Sequence, residues 1–111
     1  MATTDSFFTY AMDCLQRAGA VTARRMMGEY CLYYRGKLIG DICDNVILLK
    51  DTPGAAALLP AARRAYPYEG SRHLMLVLDA PEDTATVAAV LEALYADLPV
   101  PKPRKERKPQ K

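Results

Sequence analysis

The side chains that most often perform chemistry are few in this chain, and their spacing forms no catalytic or metal-binding set. His73 is the only histidine, and neither it nor the cysteines stand at the intervals of a zinc site. Glu29 has a phenol beside it in Tyr30, but no second acid or base to share proton transfer. Phosphate-cradling glycine motifs are absent. The sequence therefore predicts no catalytic residue, no cofactor and no metal, in a protein that is not an enzyme.

The cysteine pattern and the hydropathy indicate the compartment. Cys14, Cys31 and Cys43 are an odd number without a Cys-x-x-Cys pair, as is typical of reduced, buried thiols. No apolar run approaches the ~20 residues of a membrane span. The N-terminus also lacks the basic region and apolar stretch of a secretory signal. We therefore predict a cytoplasmic protein without a membrane role.

The net charge of +2 is unevenly distributed along the chain. Residues 1–98 hold nine basic and twelve acidic residues, so this body is mildly acidic. Residues 99–111 form a tail too rich in proline and charge to pack, and we predict that it is disordered. The tail serves either as a solubilising end or as an electrostatic arm for a polyanion. Its basic residues are Lys102, Arg104, Lys105, Arg107, Lys108 and Lys111.

Binding to nucleic acid is the alternative function that these charges raise. Neighbouring residues of a strand point to opposite faces, so Arg24 and Arg25 cannot join one patch. Charges of this kind also protect an exposed strand edge from aggregation. A mildly acidic body with scattered arginines lacks the continuous basic face of a DNA reader. The candidate polyanion contacts are Arg24, Arg25, Arg35, Lys37, Lys102, Arg104 and Lys105.

Residues 21–50 predict three or four consecutive strands, around which the rest of the chain is organised. Val, Ile, Tyr and Leu dominate the segment. Gly28 and the pairs Arg35-Gly36 and Asp44-Asn45 supply the turns, because these residue types tolerate positive φ. With two-residue turns, the predicted register sets Leu32 opposite Ile39, Tyr30 opposite Asp41 and Cys43 opposite Val46.

Alternation along these strands leaves both sheet faces apolar, which is unusual for a sheet with one face in water. The flanking helices cover one face, and the other needs a second layer. That layer is either another protein subunit or this chain's own last helix and return strand. The predicted interaction surface on this second face comprises Tyr30, Leu32, Tyr34, Ile39, Val46 and Leu48.

The flanking segments complete one α+β domain of 111 residues. A helix is predicted to begin at an N-cap among Thr4, Asp5 and Ser6 and to end at Gly19. A short helix follows at residues 55–59, and the apolar run 74–78 predicts a returning strand. A final helix begins at Asp83 or Thr84 and ends before Pro99.

Two motifs resemble the TfoX/Sxy family, and more narrowly the short stand-alone versions of its N-terminal domain. They are Met26-Met27-Gly28-Glu29-Tyr30 and Tyr33-Tyr34-Arg35-Gly36-Lys37. The likeness extends over residues 22–26, 48–50 and 68–70, the helix ending at Leu98-Pro99 and the tail. It implies an α-β(3)-α-β(2)-α order with an antiparallel sheet, as in secretion-chaperone-like domains, which often pair into dimers.

The same resemblance implies a link to regulators of natural competence, which act with other transcription factors and are not known for enzymatic chemistry. This chain differs from those regulators, because no second domain is expected after its tail. Met27, Glu29 and Cys31 also stand where many relatives have Phe or Gly. We therefore predict a non-enzymatic protein-interaction module, accessory to transcription or competence regulation, that binds itself or another protein.

Overall fold

The computed structural model describes residues 3–100 and has one sheet and three helices. The helices are α1 (Asp5–Ala18), α2 (Pro53–Leu58) and α3 (Thr84–Asp97). The strands are β1 (Val21–Met26), β2 (Glu29–Tyr34), β3 (Lys37–Cys43), β4 (Val46–Leu49), β5 (Arg64–Ala65) and β6 (Met75–Val77). The predicted α+β class with an antiparallel sheet is confirmed, and residues 21–50 contain four strands.

Three two-residue turns join the first four strands. They are Met27-Gly28, Arg35-Gly36 and Asp44-Asn45, and all six residues have φ between 50° and 86°. Positive φ at both central positions is the type I′ geometry, whose twist matches that of the flanking strands. The two turns predicted at residues 35–36 and 44–45 are therefore confirmed.

A β-bulge in β3 changes the pairing of β2 with β3. Tyr33 pairs with Leu38, but Leu32 pairs with Gly40, so Ile39 is an extra residue in β3. The predicted pairing of Leu32 with Ile39 is therefore wrong. A Cβ atom at Gly40 would lie 2.0 Å from the Leu48 carbonyl oxygen, so only glycine fits this position.

The bulge shifts the register of every residue beyond it by one. Tyr30 faces Ile42, and the prediction that it faces Asp41 is wrong. Between β3 and β4 the predicted register is correct, with Cys43 opposite Val46. A one-residue slip moves side chains to the opposite face of a strand, so the bulge decides which residues are buried.

All three helices pack on one face of the sheet, whose strand order is β1-β2-β3-β4-β6-β5. Apolar side chains of α1, α2 and α3 meet the sheet in one core. The largest fully buried side chains of this core are Leu15, Val21, Leu32, Ile39, Ile42, Ile47, Leu49, Leu76, Val87, Leu91 and Leu94. The strands β1 and β5 form the two edges.

The helix ends fall at residues with the predicted capping types. Gly19, however, ends α1 without the left-handed conformation that is usual for a C-terminal glycine. Thr4 caps α1 and Asp83 caps α3, each side chain accepting a backbone N–H. Gly19 ends α1 in an extended conformation with φ −178°. An added Cβ would lie 2.9 Å from the side chains of Leu91 and Tyr34, so glycine lets both pack closely against the end of α1.

The end of α3 at Asp97 lies next to the predicted boundary between body and tail. Residues 101–111 lie outside the described part of the chain, and so do the predicted tail contacts Lys102, Arg104 and Lys105. Within residues 3–100, every helix is too short or too polar to cross a bilayer.

Candidate functional site

The sheet face turned away from the helices, hereafter the outer face, is the candidate site. Side chains alternate between the two faces of each strand, and those opposite the helical core define this face. Most of them are apolar, which is not expected of a sheet face open to water. The main members are Thr22, Arg24, Met26, Cys31, Tyr33, Leu38, Asp41, Cys43, Val46, Leu48, Ala65, Met75 and Val77.

Four of the six residues predicted as an interaction surface lie on the other face, beneath the helices. Leu32 and Ile39 are fully buried, and Tyr34 is almost so. The ring of Tyr30 stacks on that of Phe8 in α1, with 4.0 Å between ring centroids. These four side chains are therefore part of the core, and this part of the predicted surface is wrong.

The other two predicted residues, Val46 and Leu48, do lie on the outer face. They are separated from the first four because Ile39 is an extra residue in β3. The sequence-based register assumed strict alternation and therefore joined two different faces into one.

The outer face has a covered half, formed by β4, β5 and β6. Leu48, Met75 and Val77 form a small second apolar cluster and are each 5% exposed or less. The loop Tyr66–Ser71 borders a hollow of about 660 Å³, which Val46 and Leu48 also line. The chain itself therefore shields this half of the outer face.

The open half of the outer face comprises β1, β2 and β3. Met26 is 47% and Leu38 36% exposed. Cys31, Tyr33 and Asp41 are half-buried. Apolar side chains thus remain in contact with water on three adjacent strands, a common property of surfaces that bind other proteins.

Charged groups also lie in the open half. Arg24, Cys31 and Asp41 stand directly opposite one another across the three strands. Burial raises the pKa of the Asp41 carboxyl above its usual value, while Cys31 and the more distant charge of Lys50 act in the opposite direction. Within residues 3–100, neither Arg24 nor Asp41 forms a salt bridge. Asp41 is therefore a half-buried carboxyl group whose charge no side chain within residues 3–100 neutralises at salt-bridge distance.

The thiols of the outer face are poor nucleophiles. Burial raises the pKa of Cys31, and the negative charge of Asp41 adds to the effect. Burial raises the pKa of Cys43 to about 12, with a further contribution from Asp41. Both thiols are therefore protonated near neutral pH. All three cysteines are free.

Glu29 holds the N-terminal segment in place. Its carboxylate accepts hydrogen bonds from the backbone N–H groups of Thr3, at 3.2 Å, and Asp44, at 2.9 Å. Residues 3–100 contain no cluster of three His, Cys, Asp or Glu side chains that could hold a metal ion. The Glu29 carboxylate is thus engaged by two backbone N–H groups of the described residues.

Two of the predicted polyanion contacts are engaged at the C-terminus of α3. The buried Lys37 Nζ donates to the carbonyl oxygens of Tyr95, at 2.6 Å, and Leu98, at 2.7 Å. The Arg35 guanidinium lies over the Tyr95 ring and is 3.8 Å from the Glu92 carboxylate. These contacts leave Lys37 no surface on which to meet a polyanion.

Arg24 and Arg25 are exposed on the edge strand β1. Arg24 belongs to the outer face, whereas Arg25 lies 5.6 Å from the centroid of the Tyr30 ring on the helix side. They point to opposite faces, as predicted, and do not form one basic patch.

The sequence did not indicate that Cys31, Tyr33, Leu38 and Asp41 lie together on one surface, the open half of the outer face. The available signal was Gly40, because a glycine inside a strand pattern often marks a bulge. If one extra residue is placed in β3 after Leu38, alternation assigns the apolar residues of β2 to the sheet faces on which the structure shows them.

Comparisons with known proteins agree with this architecture. The family model described as the TfoX N-terminal domain matches residues 13–94, from within α1 to within α3. An uncharacterized 12.7 kDa protein in the trpE 5′ region of Spirochaeta aurantia is 34% identical over 107 residues, covering 96% of this chain and 93% of that protein. No solved structure matches the chain significantly. The chain belongs to the TfoX N-terminal domain family.

Proposed function

We propose that this protein is a non-enzymatic interaction module that docks another protein through the open half of its outer face. The observation that supports this role is the apolar surface on β1, β2 and β3, with Leu38 and Met26 exposed to water. A fitting partner has apolar side chains to cover them and a cation to approach Asp41. Burying such surface contributes roughly 25 cal/mol per Å² before the costs of association.

An accessory role in transcription or competence regulation is the second part of the proposal. Membership of the TfoX N-terminal domain family supports it, together with the link of that family to regulators of natural competence. The protonated thiols of Cys31 and Cys43 and the engaged carboxylate of Glu29 favour binding over catalysis.

Sedimentation velocity over a range of protein concentrations tests the docking role, with a second copy as the first partner. We expect the wild-type protein to associate and Leu38→Asp to sediment as a monomer. Leu58→Asp is the matched control, because Leu58 is similarly exposed, at 40%, but lies on α2. Association that survives Leu38→Asp contradicts the proposed surface.

Nucleic-acid binding predicts a different pattern of results. In that case Arg24→Gln and Arg25→Gln each weaken retention on a nucleic-acid column, and retention falls steeply with salt. Such salt-dependent retention, without protein association, would replace docking by nucleic-acid binding as the function.

A further inference from the structure

We infer that the open half of the outer face binds a second copy of this chain, face to face, about a twofold axis that runs along β2. In this arrangement Arg24 of each copy lies against Asp41 of the other. The inference rests on the proposed docking function and adds the partner and its orientation.

The pairing of the strands makes the open half complementary to itself. Arg24 and Asp41 both stand opposite Cys31, on the strands to either side of β2. Adjacent strands are about 4.8 Å apart, so the two charged positions lie about 10 Å apart with Cys31 midway. A half-turn about β2 exchanges these positions, so each positive charge meets a negative one.

Repulsion between like charges also argues against a twofold axis along either of the neighbouring strands, β1 or β3. A twofold axis along β3 would bring Asp41 against Asp41 of the other copy, and one along β1 would bring Arg24 against Arg24. Juxtaposed like charges weaken an interface strongly. An axis along β2 also sets Glu29 opposite Glu29 of the other copy, but this carboxylate is engaged by the backbone N–H groups of Thr3 and Asp44. At the positions of Arg24 and Asp41, only β2 gives opposite charges on both sides of the axis.

The apolar residues of the open half also fit this axis. Tyr33 lies on β2, so each copy would present this ring to the same ring of its partner. Thr22 and Leu38 both stand opposite Tyr33 and exchange places under the half-turn. Aligned sheets that pack face to face interdigitate such side chains across about 10 Å. The exposed Leu38 is thereby covered.

The covered half limits where the second copy can lie. The edge strand β1 of one copy comes to rest over β3 of the other. The loop Tyr66–Ser71 lies beyond that edge, around the hollow next to Val46 and Leu48. Two copies therefore share three strands each and leave both loops outside the interface.

Charge reversal tests the orientation. We expect Arg24→Glu and Asp41→Lys each to raise the dimer Kd on the order of 100-fold, because symmetry creates the like-charge contact twice. The double variant Arg24→Glu/Asp41→Lys restores opposite charges, and its Kd returns to within roughly tenfold of the wild-type value. Arg25→Glu is the control on the same strand and leaves the Kd near the wild-type value, because Arg25 faces the helix side. Circular dichroism verifies that each variant is folded.

A double variant as weak as its parents overturns the inference, and so does an Arg25→Glu variant as weak as Arg24→Glu. If Leu38→Asp still abolishes association in either case, the docking function stands and only the orientation is wrong.

Thiol cross-linking supplies a second test that does not require Asp41→Lys to fold. In Cys14→Ala/Cys43→Ala, Cys31 is the only remaining cysteine and lies on the proposed axis. A short bis-maleimide at mildly alkaline pH is expected to yield a covalent dimer, which Leu38→Asp prevents. Labelling of Cys31 without a covalent dimer contradicts the axis along β2.

Discussion

Lys37 shows how one buried cation can join the end of a helix to a sheet. Its Nζ donates to the carbonyl oxygens of Tyr95 and Leu98 and lies 4.1 Å from the centroid of the Tyr95 ring. The last carbonyl groups of a helix have no partner within the helix, and the helix dipole favours a cation there. Lys37 therefore stabilises the C-terminus of α3 against β3.

Replacement of this residue tests its structural role. We expect Lys37→Met to lower the free energy of unfolding by about 1.5–3 kcal/mol, since hydrogen bonds from a charged donor are lost and buried carbonyls remain. Urea unfolding measures the change. Arg72→Met, on an exposed loop, is the control and should stay within about 0.5 kcal/mol of wild type. Equal losses in both variants would contradict the role of Lys37.

Glu29 predicts a dependence of stability on pH. Burial acts to raise the pKa of this carboxyl, but the hydrogen bonds from Thr3 and Asp44 outweigh it, so the pKa lies below its ordinary value of 4.5. The stability from the ionised group is present above pH 4.5 and is lost as the pH falls through the lowered pKa. We expect Glu29→Gln to be less stable than wild type at pH 7, with a difference that shrinks below pH 4.5. A pH-independent difference in urea unfolding would contradict this.

At the scale of elements, the bulge in β3 separates what the sequence could predict from what it could not. The turns at residues 35–36 and 44–45 were predictable because their residue types tolerate positive φ. The helix ends were predictable from Thr4 and Asp83 as capping residues. The face of Leu32 was not, because strict alternation ignores an extra residue, and a slip of one changes every face beyond it.

Gly40 is the residue on which the bulge depends. We expect Gly40→Ala to reduce the free energy of unfolding by about 3 kcal/mol or more, because its Cβ would meet the backbone of Leu48 at 2.0 Å. Gly19→Ala is the comparison, since its Cβ would meet only the side chains of Leu91 and Tyr34. Those side chains can shift, so the loss should be about 1 kcal/mol. Thermal unfolding followed by circular dichroism compares the two variants. Equal losses of unfolding free energy would contradict the special role of Gly40 in the bulge.

In the assembled fold, three helices cover one face of a six-stranded sheet and leave half of the other face open. The sequence predicted that the flanking helices cover one face of the sheet, and their apolar side chains do so. The sequence could not predict which face, because both carry apolar residues and the choice depends on packing around the bulge. The open half was therefore identifiable only once the strands and helices were placed together.

The ionised carboxyl of Asp41 has opposite effects on two properties: it destabilises the folded monomer and favours the proposed self-association. Burial raises the pKa of its carboxyl from the ordinary 3.8, so its contribution to stability is present at low pH and is lost as the pH rises through the raised value. We expect Asp41→Asn to increase the free energy of unfolding of the monomer at pH 7 and to weaken self-association. Urea unfolding of dilute protein and sedimentation measure the two effects. A variant that is less stable but associates normally would contradict both expectations.

Self-association through the open half of the outer face can be followed residue by residue. Its most direct test is the dilution of isotope-labelled protein, followed by amide ¹H–¹⁵N spectra. We expect amide shifts that depend on concentration to cluster at Arg24, Cys31, Tyr33 and Leu38, while the amide shifts of α1 and α3 stay constant. Spectra that do not change with concentration, or changes confined to the helices, would contradict it.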